Sequence, residues 1–140
     1  MRRLPSLQVR INNWIQMESQ KVFVRKDFES FGKSSSAIGK ALYNLVKQGS
    51  LIKAGRGIYV KTKISSLTGR IIPAVSLTET ALTALAKFGI IATLGQSAQA
   101  YMSGKSTQLP MAVVINVGRS QISRRIGFGG KIVRYENNPK

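Results

Sequence analysis

The segment from Ser34 to Val60 constrains the fold most. Ile38, Ala41, Leu42, Leu45 and Val46 recur at i, i+3, i+4, i+7 and i+8, the spacing of a helix with one apolar face. The Ser34-Ser35-Ser36 run ahead of them offers hydroxyls for the N-terminal N–H groups, and Gly49 can take the left-handed conformation that ends a helix. Leu51-Ile52-Lys53-Ala54 and Ile58-Tyr59-Val60 then flank Gly55-Arg56-Gly57. That pattern predicts a hairpin in which the two glycines supply positive φ angles and Arg56 sits at the tip.

The residues before Ser34 supply something for the apolar face to pack on. Leu4, Leu7, Ile11, Trp14 and Ile15 form one stripe on a helix that starts near Pro5-Ser6. Val22-Phe23-Val24 is a short strand by composition, and Arg25 to Phe31 reads as a short helix stopped by Gly32. The order helix, short strand, helix, turn, helix, two-stranded wing predicts a winged helix-turn-helix over residues 1–63.

Periodicity lapses around Lys63, Ser65, Ser66, Gly69 and Arg70, so residues 64–73 read as a linker. A second, small α+β domain is expected over 74–140. Ser76-Leu77-Thr78-Glu79 spells a capping box, opening a helix that carries Leu77, Ala81, Leu82, Leu85 and Phe88 and ends at Gly89. Ile90 to Met102 reads as either strand or short helix. Met111 to Val117 and Lys131 to Tyr135 read as strands, with a turn at Gly118-Arg119-Ser120. The fold class is α+β throughout.

Charge narrows the function. Lys and Arg number 22 against five Asp and Glu, a net charge of +17 over 140 residues. Residues 1–70 carry +11 of this and residues 71–140 carry +6. There is no His and no Cys, which removes the imidazole base, the thiolate nucleophile and the softer metal ligands. The acids Glu18, Asp27, Glu29, Glu79 and Glu136 are scattered, and only Asp27 and Glu29 are close in sequence, at a spacing that splits them across a helix. The expectation is a non-enzyme without metal or cofactor.

Lack of cysteine fits a reducing cytosol. No stretch reaches the ~18 apolar residues of a membrane span, and Arg10, Asn12 and Asn13 interrupt any signal-peptide core, so a soluble, cytoplasmic protein is expected. Charge of this density calls for a polyanion, most simply nucleic acid. A membrane-surface helix would gather its charges on one face, whereas these are spread over helices, turns and hairpins.

In a winged helix-turn-helix the third helix enters the major groove and the wing lies alongside. Ser35, Ser36, Lys40, Tyr43 and Lys47 are the candidate DNA-binding residues of the helix, with Lys53, Arg56 and Lys61 from the wing. Arg56, between two glycines, suits a minor groove, where narrow tracts concentrate negative potential. The plainer alternatives are a solvated helix face and an ordinary turn residue. Arg119, Arg124 and Arg125 form a candidate second surface for a polyanion or a protein partner, or else a solvated cluster. Gly104-Lys105-Ser106-Thr107 imitates the end of a phosphate-binding loop, but Gln99 stands where its first glycine belongs and Pro110 forbids a long following helix. Gly127-Phe128-Gly129-Gly130 reads as a hairpin bend.

The stretches Val22 to Phe28, Ala41 to Gly49 and Gly55 to Val60 resemble the AbiEi-type antitoxins of type IV toxin-antitoxin and abortive-infection systems. The helix after Pro73, Thr107-Gln108-Leu109-Pro110 and the strand-rich end are similar as well, so the likeness spans nearly the whole chain. It implies an N-terminal winged helix that binds inverted repeats in its own promoter as double-stranded DNA. It further implies a C-terminal domain that counteracts a nucleotidyltransferase toxin encoded alongside, directly or indirectly, with the region from Met111 onward matching that activity. The rival reading is a small basic RNA-binding or ribosome-associated protein, although no aromatic RNA-binding signature is present. A small enzyme acting on nucleotides or on the toxin lacks the residues to do so.

Overall fold

The helix Ser35–Lys47 (α2) forms where its periodicity predicts it, and its start is held by the first serine of the run. Ser34 is the N-cap, its Oγ accepting from the Ala37 N–H at 3.1 Å, while Ser35 and Ser36 lie within the helix. At the other end Gly49, with φ +87°, donates to the Val46 carbonyl and Ser50 donates to that of Leu45. This double closure lets the chain leave the helix at once into the strand that begins at Leu51.

The structure is a computed structural model that describes residues 5–95 and 113–138. The Gly104–Thr107 segment, Thr107 to Pro110 and Met111 therefore lie outside the described residues. The chain forms two units, Met1–Lys53 with Gly57–Val75 and Ala54–Arg56 with Ser76–Lys140.

In the first unit α1 (Leu7–Met17) is capped by Ser6 and packs against α2. Ile11 and Ile15 from α1, Phe23 and Phe28 between the helices, and Leu42 and Leu45 from α2 are fully buried and form the core. Each such side chain contributes about 1.5–3 kcal/mol on leaving water. Trp14 lies 5.5 to 5.8 Å from the rings of Phe23, Phe28 and Phe31, closing one side of that core. Residues Arg25–Phe31 are a 3-10 helix, ended by Gly32 at φ +68°.

Beside the helices runs a sheet in the order β1 (Val22–Val24), β3 (Ile58–Ile64), β2 (Leu51–Gly55). The turn between β2 and β3 has two residues, Arg56 and Gly57, and only Gly57 takes a positive φ, at +73°. Gly55 belongs to the strand, so one glycine suffices where the sequence suggests two. Part of the expected linker 64–73 is strand, Ile64 being the last residue of β3. Ile71–Pro73 forms β4, antiparallel to β3 with Thr62 opposite Pro73 and Ile64 opposite Ile71. The low periodicity of this segment reflects exposure: Ile64 and Leu67 are 71% and 95% accessible, so no buried face imposes a pattern.

The second unit holds α3 (Leu77–Lys87), capped by Ser76 Oγ, which accepts from Glu79 N at 3.1 Å. Its buried residues are Leu77, Thr80, Ala81, Ala84 and Leu85. Leu82 and Phe88 are half-buried, and the buried stripe runs through the smaller side chains at 80 and 84. Thr80 is tolerated there because its hydroxyl donates to the Ser76 carbonyl at 2.8 Å. β6 (Val114–Asn116) pairs antiparallel with β5 (Thr93–Leu94) and parallel with β9 (Arg134–Glu136). β7 (Gly127–Phe128) and β8 (Lys131–Ile132) form the expected hairpin, with Gly129 and Gly130 at positive φ in the turn. The described residues are thus a mixed α+β fold, and no helix among them is long and apolar enough to cross a membrane.

Candidate nucleic-acid interface

The polar side of α2 is set by the packing of its apolar side. With Ile38, Ala41, Leu42 and Leu45 buried, residues 36, 40, 43 and 47 fall on the opposite face, and all four are exposed. Lys47 Nζ stands 5.7 Å from the centre of the Tyr43 ring, which is itself 62% accessible. The helix contains no Asp or Glu, so its two lysines are uncompensated within it. A cation over an exposed aromatic ring, flanked by a hydroxyl and a second amine, can meet both phosphate and base.

Ser35 is exposed but committed. Its carbonyl and its Oγ both accept from Nη2 of Arg25, at 2.7 and 2.9 Å. The Arg25 backbone N–H in turn donates to the Gly57 carbonyl at 3.1 Å, so one residue ties the end of β1 to the start of α2 and to the β2–β3 turn. Arg25 is absent from the candidates that the sequence suggests. A signal for it does exist: Gly39 sits inside α2, where glycine costs about 1 kcal/mol relative to alanine. A Cβ at that position would stand 3.1 Å from Arg25 Nη1.

Lys61, expected to contact DNA, is engaged elsewhere. Its Nζ donates to the carbonyls of Gln16 and Glu18 at 3.3 Å each, filling the C-terminal end of α1. Burial pushes its pKa below the ordinary range, and Lys21 adds to the fall while Glu18 opposes it. Lys53 is exposed on β2.

Arg56 belongs with the second unit. There its carbonyl accepts from Arg124 Nη1 at 2.8 Å, and the guanidinium of Arg124 lies over the Phe88 ring at 4.2 Å. The Tyr135 hydroxyl donates to the Arg124 carbonyl at 2.6 Å. Arg56, Arg124 and Arg125 line one cleft of about 530 Å³, and Arg119 is not among its lining residues. Arg119 is exposed in a turn held by Asn137, whose Nδ2 donates to the carbonyls of Gly118 and Ser120. Lys40 and Lys47 thus stand on α2, Lys53 on β2, Lys61 at the end of α1, Arg56, Arg124 and Arg125 in the cleft, and Arg119 in its turn.

The family model described as "Family of unknown function (DUF6088)" matches residues 10–140. The chain belongs to this family. No curated protein matches the chain. The DUF6088 match takes in α2, the Arg25 contact and all three arginines of the cleft.

Proposed function

We propose that the chain binds promoter duplex DNA through residues 1–63 acting as a winged helix-turn-helix, with α2 as the helix laid in the major groove. The observation that carries this reading is the exposed Ser36, Lys40, Tyr43 and Lys47 face on a helix without a carboxylate. Arg25 supports it by fixing the start of that helix relative to the β2–β3 turn, since base reading needs the helix held at one angle. Lys53 on β2 would meet phosphate beside the groove.

On this reading the chain is an antitoxin and transcriptional autorepressor of a type IV toxin-antitoxin operon, counteracting a nucleotidyltransferase toxin. The DNA-binding part rests on geometry and charge, and the antitoxin part rests on the resemblance to AbiEi-type proteins. It is a cytoplasmic, non-enzymatic role.

The test is binding of the purified chain to the DNA upstream of its own reading frame, against unrelated duplex and against structured RNA. Preference for the upstream duplex, abolished in Lys40→Ala with Lys47→Ala, supports the proposal. Preference for structured RNA would replace it with the RNA-binding reading. Co-expression with the adjacent nucleotidyltransferase, if one is encoded there, tests the antitoxin role by growth.

A further inference from the structure

The cleft of the second unit has a composition that the duplex-binding face does not use. Its lining combines the cations Arg56, Arg124 and Arg125 with the apolar surfaces of Phe88, Ile90 and Ile122, and among the described residues none that lines it is acidic. Its volume of about 530 Å³ lies within the range of small-ligand sites.

The state of Arg124 decides what chemistry fits. Nη1 donates to the Arg56 carbonyl at 2.8 Å, which commits one of the five guanidinium N–H donors and fixes the orientation of the group. The plane of the group lies on Phe88 at 4.2 Å. Its main chain is held by the Tyr135 hydroxyl. Arg124 is therefore offered as a flat cation supported on an aromatic ring. Flat cations and aromatic rings are what unpaired bases stack on, and the two remaining arginines can take the phosphate that accompanies a base. An acidic peptide would leave the apolar lining without a partner.

We propose that this cleft binds an unpaired nucleotide, its base stacked on the Arg124–Phe88 pair and its phosphate met by Arg125 and Arg56. The nucleotide comes either from a single strand or from a free nucleoside monophosphate. This site uses no residue of the α2 face and does not depend on the duplex-binding proposal.

The experiment uses the full chain, with a labelled single-stranded oligonucleotide of roughly eight residues and with AMP, inorganic phosphate and a blunt duplex as competitors. Arg124→Lys keeps the charge and removes the plane, and should weaken oligonucleotide binding at least about tenfold. Arg125→Gln, an exposed position, should weaken it and reduce its salt dependence. Competition by AMP near the oligonucleotide's own affinity identifies the free nucleotide as the natural source, and much weaker competition identifies the strand. Either result supports the site. If Arg124→Lys fails to fold, as judged by thermal denaturation, Arg125→Gln carries the test alone. Displacement by inorganic phosphate as effective as by AMP, displacement by the blunt duplex alone, or wild-type affinity in the folded variants overturns the proposal. Lys40→Ala with Lys47→Ala should leave single-strand binding intact, which separates failure of this site from failure of the α2 face.

Discussion

Arg25 Nη2 binds Ser35 twice, through the carbonyl at 2.7 Å and through the hydroxyl at 2.9 Å. A cation at the start of a helix opposes the helix dipole. Here it is held there by specific hydrogen bonds, and Gly39 leaves the room that its Nη1 occupies.

Arg25→Met keeps the stem and removes both bonds, and should lower stability by about 1 kcal/mol, seen as a lower urea midpoint at unchanged slope. Gly39→Ala should gain about 0.5–1 kcal/mol of helix propensity in the Arg25→Met background. In the native background the gain should be smaller, because the new Cβ stands 3.1 Å from Nη1. Equal gains in both backgrounds would show that Gly39 is not there for Arg25.

Lys61 and Lys40 should separate functionally. Every phosphate that a lysine neutralises steepens the fall of log K against log salt by about 0.9. Lys40→Ala should therefore flatten the salt dependence of duplex binding, whereas Lys61→Met should leave it unchanged and alter stability instead. Because burial lowers the Lys61 pKa in the folded state, that state holds fewer protons than the unfolded one between the lowered value and 10.5. This residue's penalty is full at neutral pH and is relieved as pH rises through that window. The difference in unfolding free energy between wild type and Lys61→Met should shift in that direction. A flat difference curve would contradict the assignment.

Tyr135 carries the opposite sign. Burial raises its pKa in the folded state, with Arg124 partly offsetting the rise. Its contribution is therefore full below 10.0 and falls away as pH climbs through the raised value. Tyr135→Phe should cost about 1 kcal/mol at neutral pH, and this deficit should narrow in alkali. Denaturation at several pH values reads both effects.

Gly127→Ala should damage the second unit and spare the first. A Cβ there would overlap the Lys131 carbonyl oxygen and stand 3.1 Å from the Ile132 Cα, so backbone rather than a movable side chain must give way. A destabilisation of about 1–3 kcal/mol, typical of overpacking, is expected in the β7–β8 hairpin. Amide hydrogen exchange should show faster exchange in 113–138 with α2 unchanged. Wild-type exchange throughout would refute it.

Local signals carry the first unit well. The stripe of α2, its closure at Gly49, the Ile11 and Ile15 face of α1 and the β2–β3 hairpin follow from spacing, because a helix with one buried side imposes a period of 3.6 on its sequence. β4 is illegible for the complementary reason: Ile64, Leu67 and Ile71 are exposed, so alternation there answers to no buried face. Hydrophobicity alone does not reveal that Thr80 and Ala84 are buried in α3, Thr80 with its hydroxyl bonded to the Ser76 carbonyl, or that Phe88 caps the helix beneath Arg124.

The candidate sites divide in the same way. That Lys40, Tyr43 and Lys47 share an outward face is readable from helical spacing, since the buried side fixes the exposed one. The positive charge and the lack of imidazole and thiol are likewise properties of the chain alone. Tertiary structure decides which cations are free to act. It gives Lys61 to the α1 carbonyls 43 and 45 residues away, gives Ser35 to Arg25, and lays Arg124 across Phe88 with Arg56 beside it. A charge is written in the sequence, but the distances over which hydrogen bonds and stacking act are a few ångströms, and only the folded backbone sets them.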